Sequence, residues 1–138
     1  MHSTILHHLG LPNALKTLCR TFSQQYQITV DLEAEPLEDL EADMSLCLFR
    51  VTQEALNNAV THGHARQITV SLARDAGLLR LRIKDTGIGF EPAVRPEGLG
   101  LVSMQERLRL VGGKLAIRSS SGQGTVVEAI VDCSTQNS

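Results

Sequence analysis

Apolar residues recur along this chain with two different periods, and the switches between them lay out an order of elements. From Leu11 to Tyr26 the residues Leu11, Leu15, Leu18 and Phe22 fall three or four apart, with Pro12 tolerated in the first turn, so the spacing predicts an amphipathic helix. Gln27 to Glu33 alternates instead, with Ile28, Val30 and Leu32 on one face, and Glu35-Pro36 ends the run as expected of an edge strand. An acidic loop with Glu38, Asp39, Glu41 and Asp43 leads into a second helix, Leu48 to Ala65, whose positive N-terminal dipole favours such neighbours. Gln67 to Ala73 and Leu78 to Asp85 alternate on either side of Asp75-Ala76-Gly77, the pattern of a hairpin. A third helix opens at Gly98-Leu99-Gly100-Leu101, carries Leu101, Met104, Leu108 and Val111 as its buried stripe, and stops at Gly112-Gly113. Two strands finish the chain, Lys114 to Ser119 and Thr125 to Val131, joined by Ser121-Gly122-Gln123-Gly124.

The second helix has two unlike halves. At about 100° per residue, Leu48, Val51, Thr52, Ala55, Leu56, Ala59 and Val60 share one side, and Arg50, Gln53, Glu54, Asn57, Asn58 and Thr61 the other. The amides on the polar side are poorer helix formers than the Lys and Glu pairs that dress a merely solvated face. Glu54, Asn58 and His62 rise along one side at intervals of four, and two hard oxygens one turn apart suit magnesium. An ordinary amphipathic helix with a wet side fits this stretch equally well.

Asp85 raises a similar question. In its strand Leu79, Leu81 and Ile83 have one parity and Arg80, Arg82 and Lys84 the other, and Asp85 shares the inward one. A carboxylate there either caps the turn at Thr86-Gly87 or awaits a donor, because a buried charge without a partner is costly. Thr125 has the parity of Val127, Ala129 and Val131, which aims its hydroxyl at the same layer. Glycines at the mouth of the third helix let backbone amides approach an anion. The polar loop before them, residues 91–99, is long and unpatterned, as expected of a lid.

Composition narrows the classes. With 138 residues, 42% hydrophobic and 20% charged, the chain forms one domain, spanning 1–138, with 1–9 as an upstream linker and Ser134 to Ser138 as a frayed tail. A net charge of -2, one Tyr, no Trp and no basic run argue against a nucleic-acid partner. Three widely spaced cysteines give no disulfide framework and no zinc signature, so a reducing cytoplasm is the expected setting. No apolar run approaches the roughly 20 residues of a membrane span, so no membrane contact is expected of this domain, whatever holds a longer parent. His2, His7 and His8 lack a second ligand cluster and are not read as a metal site.

Four pieces stand in one order: Glu54-Ala-Leu-Asn57-Asn58-Ala-Val-Thr61-His62, Asp85-Thr-Gly87-Ile-Gly89-Phe90, Gly98-Leu99-Gly100-Leu101 and Gly122-Gln-Gly124-Thr125. From about Leu9 to Val131 the chain resembles the ATP-binding catalytic domain of bacterial sensor histidine kinases. The likeness is to the nitrate-sensor-like subfamily that signals to LuxR/NarL-type response regulators, within the gyrase, chaperone and MutL ATPase superfamily. The resemblance implies a Bergerat fold, an α/β two-layer sandwich whose mixed sheet carries helices on one face. It implies ATP and magnesium as cofactors. Asn58 matches the magnesium ligand and Glu54 the acidic residue one turn before it, the two expected to carry metal binding and catalysis. Asp85 matches the acceptor of the adenine amino group, backed by Thr125, with Gly87 and Gly89 in the first glycine box. Gly98, Leu99, Gly100 and Leu101 match the second, beside the phosphates.

One departure stands beside His62: Thr61 replaces the Lys usual in the family, and His62, His64 or Arg66 is left to supply charge near the phosphates. The phosphoacceptor histidine is missing too, since the family's is followed directly by an acidic residue whereas His7 and His8 precede Leu9-Gly10. The implied partners are a dimerisation domain of the same parent, bearing that histidine, and a response regulator. The competing readings are an anti-sigma-factor-type serine kinase and a nucleotide-binding module without turnover.

Overall fold

The computed structural model describes the backbone of residues 2–37, 40–89 and 100–133, and the side chains of residues 10–37, 40–89 and 100–133. The elements follow the order of the two periods: α1 (His2–Tyr26), β1 (Thr29–Ala34), α2 (Ala42–Thr61), β2 (Gln67–Asp75), β3 (Leu78–Asp85), α3 (Leu101–Leu110), β4 (Gly113–Ser119) and β5 (Thr125–Asp132). α1 is broken at Gly10, whose φ of 78° and ψ of 166° are not helical. The amphipathic piece therefore starts at Leu11, and Pro12 falls in its first turn, where the missing N–H costs nothing. Leu11, Ala14, Leu15, Leu18 and Cys19 of that piece are buried.

α2 begins six residues before the expected Leu48 and stops at Thr61, short of Ala65. The early start has a physical reason: Met44, Ser45 and Cys47 carry the buried stripe one turn back, and Asp43 sits in the first turn where the dipole favours it. The early stop comes from a turn in which the N–H groups of His62 and Gly63 both donate to Asn58 O, at 2.9 and 3.0 Å, and Ala65 N–H donates to Ala59 O at 2.9 Å. The division of the helix into an apolar and a polar half is as expected, with Leu48, Val51, Thr52, Ala55, Leu56 and Ala59 all buried.

The strands form one sheet in the order β1-β2-β3-β5-β4. β1 runs parallel to β2, with α2 as the crossover, and the other pairs are antiparallel. The β2–β3 hairpin turns on Ala76 and Gly77, both at positive φ (53° and 80°), the pairing a two-residue primed turn demands. Ile68, Val70, Leu72, Leu79, Leu81, Ile83, Ala129 and Val131 are buried on the sheet's inner face. The helices contribute Leu15, Leu48, Leu56, Met104 and Leu108 to the same core. Arg80, Arg82 and Lys84 stand exposed on the outer face. The architecture is the expected two-layer α/β sandwich. Val111 is only half-buried at the end of α3, so the stripe there is shorter by one residue.

Candidate nucleotide site

At one end of the sheet Asp85, Thr125 and Ser119 stand side by side on β3, β5 and β4. Asp85 is 7% exposed and Thr125 8%, both aimed at the helix layer as their parity required. The carboxylate accepts a hydrogen bond from Gly87 N–H through Oδ1 at 2.8 Å, so the turn-capping role is real. That bond occupies one oxygen. No cation stands within ion-pair distance of Asp85 among the described residues. Burial pushes its pKa up, and the backbone N–H groups of Gly87 and Thr125 pull it back. Thr125 Oγ1 shares a hydrogen bond with Ser119 Oγ at 2.7 Å, which orients the hydroxyl.

Two turns hold this carboxylate in place. Gly124 takes a φ of 80°, and a side chain there would collide with the carbonyl oxygen of Asp85. Gly87 passes so close to Gly63 that a Cβ would collide with the Gly63 carbonyl, and Ile88 N–H donates to that same oxygen at 2.9 Å. Gly89 lies against Ser120, while Gly122 N–H donates to Ile88 O. The loop after β3 is thus laced to the C-terminal end of α2 and to the β4–β5 turn.

Between these turns and α2 lies a cavity lined by Asn58, Gly63, Asp85, Leu101 and Thr125, with Ala55, Ala59, Ile83 and Val127 as its apolar walls. Its volume of about 20 Å³ holds one water molecule, far below the several hundred Å³ of an open small-molecule pocket. As it stands the cavity is too small to hold a nucleobase. Gly100 caps the start of α3 at a φ of 70°, and the Glu54 carboxylate packs directly against it. Asn58, Asp85, Leu101 and Thr125 line this cavity, and Gly87 abuts it through Asp85; Glu54 lines a separate pocket between α2 and α3, with Arg50, Gln53, Ser103, Met104 and Arg107, and reaches Gly100 from there. His62 caps the C-terminal end of α2, exposed, and does not line the cavity. Phe90, the loop 91–99, Gly98 and Leu99 lie outside the described residues, as do the side chains of His2, His7 and His8 and the tail from Ser134.

Gly63 and the Ser119 hydroxyl were not singled out from sequence. Gly63 follows a helix end and could have been found as a capping glycine, whereas Ser119 reaches Thr125 only through the strand register. For a metal, the donor set is one carboxylate and one carboxamide on neighbouring turns of α2. Among the described residues no group of three or more His, Cys, Asp or Glu could hold an ion. Such a set fits magnesium completed by phosphate oxygens and water, and does not fit an all-protein cage.

A buried carboxylate thus stands at the end of a small, apolar-walled cavity on an α/β sandwich, beside the start of α3. Residues 43–135 match the model of the histidine kinase-, DNA gyrase B- and HSP90-like ATPases, and the chain belongs to that family. It is 37% identical over 132 residues to the sensor histidine kinase MctS of Rhizobium johnstonii, covering 92% of this chain and 28% of that protein. To the nitrate/nitrite sensor protein NarQ of Escherichia coli it is 35% identical, covering 88% of this chain and 22% of the other. The chain thus spans about a quarter of the length of these relatives. Among solved structures, the histidine kinase domain of a blue-light activated kinase from Erythrobacter litoralis superposes with a TM-score of 0.80 at 20% identity, over 91% of this chain and 62% of that one. The ATP-binding domain of PrrB from Mycobacterium tuberculosis superposes at 0.69 and 23% identity, over 88% and 92%. These two establish the fold. Among the described residues no helix is long and apolar enough to cross a membrane.

Proposed function

We propose that this domain binds ATP with magnesium and donates the γ-phosphoryl group to a histidine on a separate dimerisation domain of its parent, for relay to a response regulator of the LuxR/NarL type. The observation that carries the reading is Asp85, a buried carboxylate met by the backbone N–H groups of Gly87 and Thr125 and, among the described residues, by no cation, at the end of the cavity. Such a group is costly unless a donor meets it, and an exocyclic adenine amine is a donor of the right kind. Thr125 stands beside it to share the base, and the apolar walls take the ring faces. Asn58, with Glu54 one turn before it, would hold magnesium, which would supply charge neutralisation between the phosphates. Gly100 and Leu101 offer backbone at a helix start to the phosphate oxygens.

Phosphoryl transfer needs an in-line nucleophile, and the chain's part is positioning and electrostatics. His62 and His64 are carried by or follow α2, the helix that bears the proposed magnesium ligand, so neither approaches the γ-phosphate from the opposite side. The test is radiolabelled ATP with this chain alone and with the dimerisation domain restored. Acid-labile, alkali-stable label is expected on the added domain only. Acid-labile label on this chain alone, removed by mutating one of its own histidines, overturns the proposal, and acid-stable label on a serine favours the serine-kinase reading.

A further inference from the structure

Away from the nucleotide site, a cleft of about 620 Å³ lies between α1 and β1, lined by Lys16, Arg20 and Gln24 on the helix and Val30, Asp31 and Leu32 on the strand. β1 is the edge of the sheet. Thr29 N–H donates to Arg66 O at 3.0 Å and Glu35 N–H to Leu72 O at 3.1 Å. With the register running from Thr29↔Gln67 to Ala34↔Leu72, the odd-numbered residues are the ones whose backbone meets β2. Backbone groups alternate in direction along a strand. The N–H and C=O of Val30, Leu32 and Ala34 therefore aim away from β2, along the cleft, and no strand among the described residues pairs with them. An open row of this kind is a template for one more strand.

We propose that this edge binds an extended segment of a different polypeptide, one with Lys or Arg on alternate positions and short aliphatic side chains between them. Charge on the page selects that pattern. Asp31 and Glu33 are exposed on the outer face of β1, and their neighbours on β2, Thr69 and Ser71, are uncharged. Ser71 Oγ donates to Glu33 Oε1 at 3.3 Å, which leaves the second oxygen for a partner. A strand laid outside β1 sets its outward side chains directly beside these carboxylates, where opposite charges attract and like charges repel. Its inward side chains meet half-buried Val30 and Leu32 and slide beneath the stems of Lys16 and Arg20. The same rule works against a second copy of this chain, since antiparallel β1–β1 pairing about a two-fold axis sets Asp31 and Glu33 of both copies on one face.

The experiment uses the full chain and capped eight-residue peptides alternating lysine with valine, or glutamate with valine. Amide exchange at Val30, Leu32 and Ala34 should slow with the lysine peptide and stay fast with the glutamate one, with a preference of roughly tenfold in Kd. The Asp31→Lys, Glu33→Lys double variant, altered only at exposed positions, should reverse the preference. A lysine peptide with N-methylated backbone should not bind. Unchanged exchange at millimolar peptide, equal binding of both peptides by the native chain, or concentration-dependent dimerisation that protects these amides overturns the proposal.

Discussion

Replacing Asp85 with Asn separates its two costs, because binding and stability should move in opposite directions. Gly87 N–H already holds Oδ1 at 2.8 Å. In Asp85→Asn the amide oxygen can keep the Gly87 and Thr125 N–H groups, and in the proposed site the new NH2 group would meet the adenine amine donor to donor. Losing one hydrogen bond to a charged group costs about 1.5–3 kcal/mol, which is roughly a 10- to 150-fold rise in Kd for ATP. The fold responds differently. Burial raises the Asp85 pKa above its ordinary 3.8, so ionisation costs the folded state stability from pH 3.8 upward, in full once the pH exceeds the folded pKa. The amide carries no such cost, and the ligand-free variant should melt at the same temperature or higher at pH 7. In the native chain this group's contribution to ligand-free stability grows as the pH falls through the raised pKa, while ATP affinity declines over the same range. Calorimetric titration with ATP and thermal melting without it check both signs. Unchanged affinity refutes the adenine assignment, and a large drop in melting temperature shows that the carboxylate is structural instead.

Asn58→Ala should weaken magnesium-dependent ATP binding far more than adenosine binding, and equal losses in titrations of both ligands would mark the residue as structural. Gly124→Ala forces a side chain into positive φ against the Asp85 carbonyl and should cost about 1–3 kcal/mol in a denaturant titration. On the proposed site, Thr61→Lys would add a charge near the phosphates and should tighten ATP more than ADP, read by competition titration. Burial pushes the Cys19 thiol up to about 12 and Cys47 up to about 11, so both should resist iodoacetamide at pH 8 in the folded chain and react once it is unfolded, as mass spectrometry can count.

Periodicity located the elements well where one face is buried and the other wet. β3 is the clearest instance, its alternation putting Asp85 and Arg82 on opposite sides from sequence alone. Helix ends were harder to read. Met44 to Cys47 continue the α2 stripe but follow acidic residues that look like loop, and only the packed sheet shows that the helix begins at Ala42. The order of strands in space is not a local property either. β5 inserts between β3 and β4, and that crossing sets Thr125 beside Asp85 and Ser119 beside Thr125. The candidate residues were legible because few residue types suit their positions: a carboxylate on an inward parity, two oxygens one helical turn apart, and glycines where backbones touch. What escaped was Gly63, whose importance comes from a contact with Gly87 that no spacing encodes.

The two ends of the proposed nucleotide cleft are made of different material. The base end is built into the sheet, with Asp85 and Thr125 on paired strands and glycine turns locked against carbonyls. The phosphate end rests on one helix start, where Gly100 meets Glu54 across a gap between α2 and α3. A compound confined to the base end would therefore meet a surface fixed on one side by paired strands, whatever the helices opposite do. One that reaches past Asn58 to Gly100 would rest on the contact between α2 and α3, and its affinity would depend on how those two helices stand.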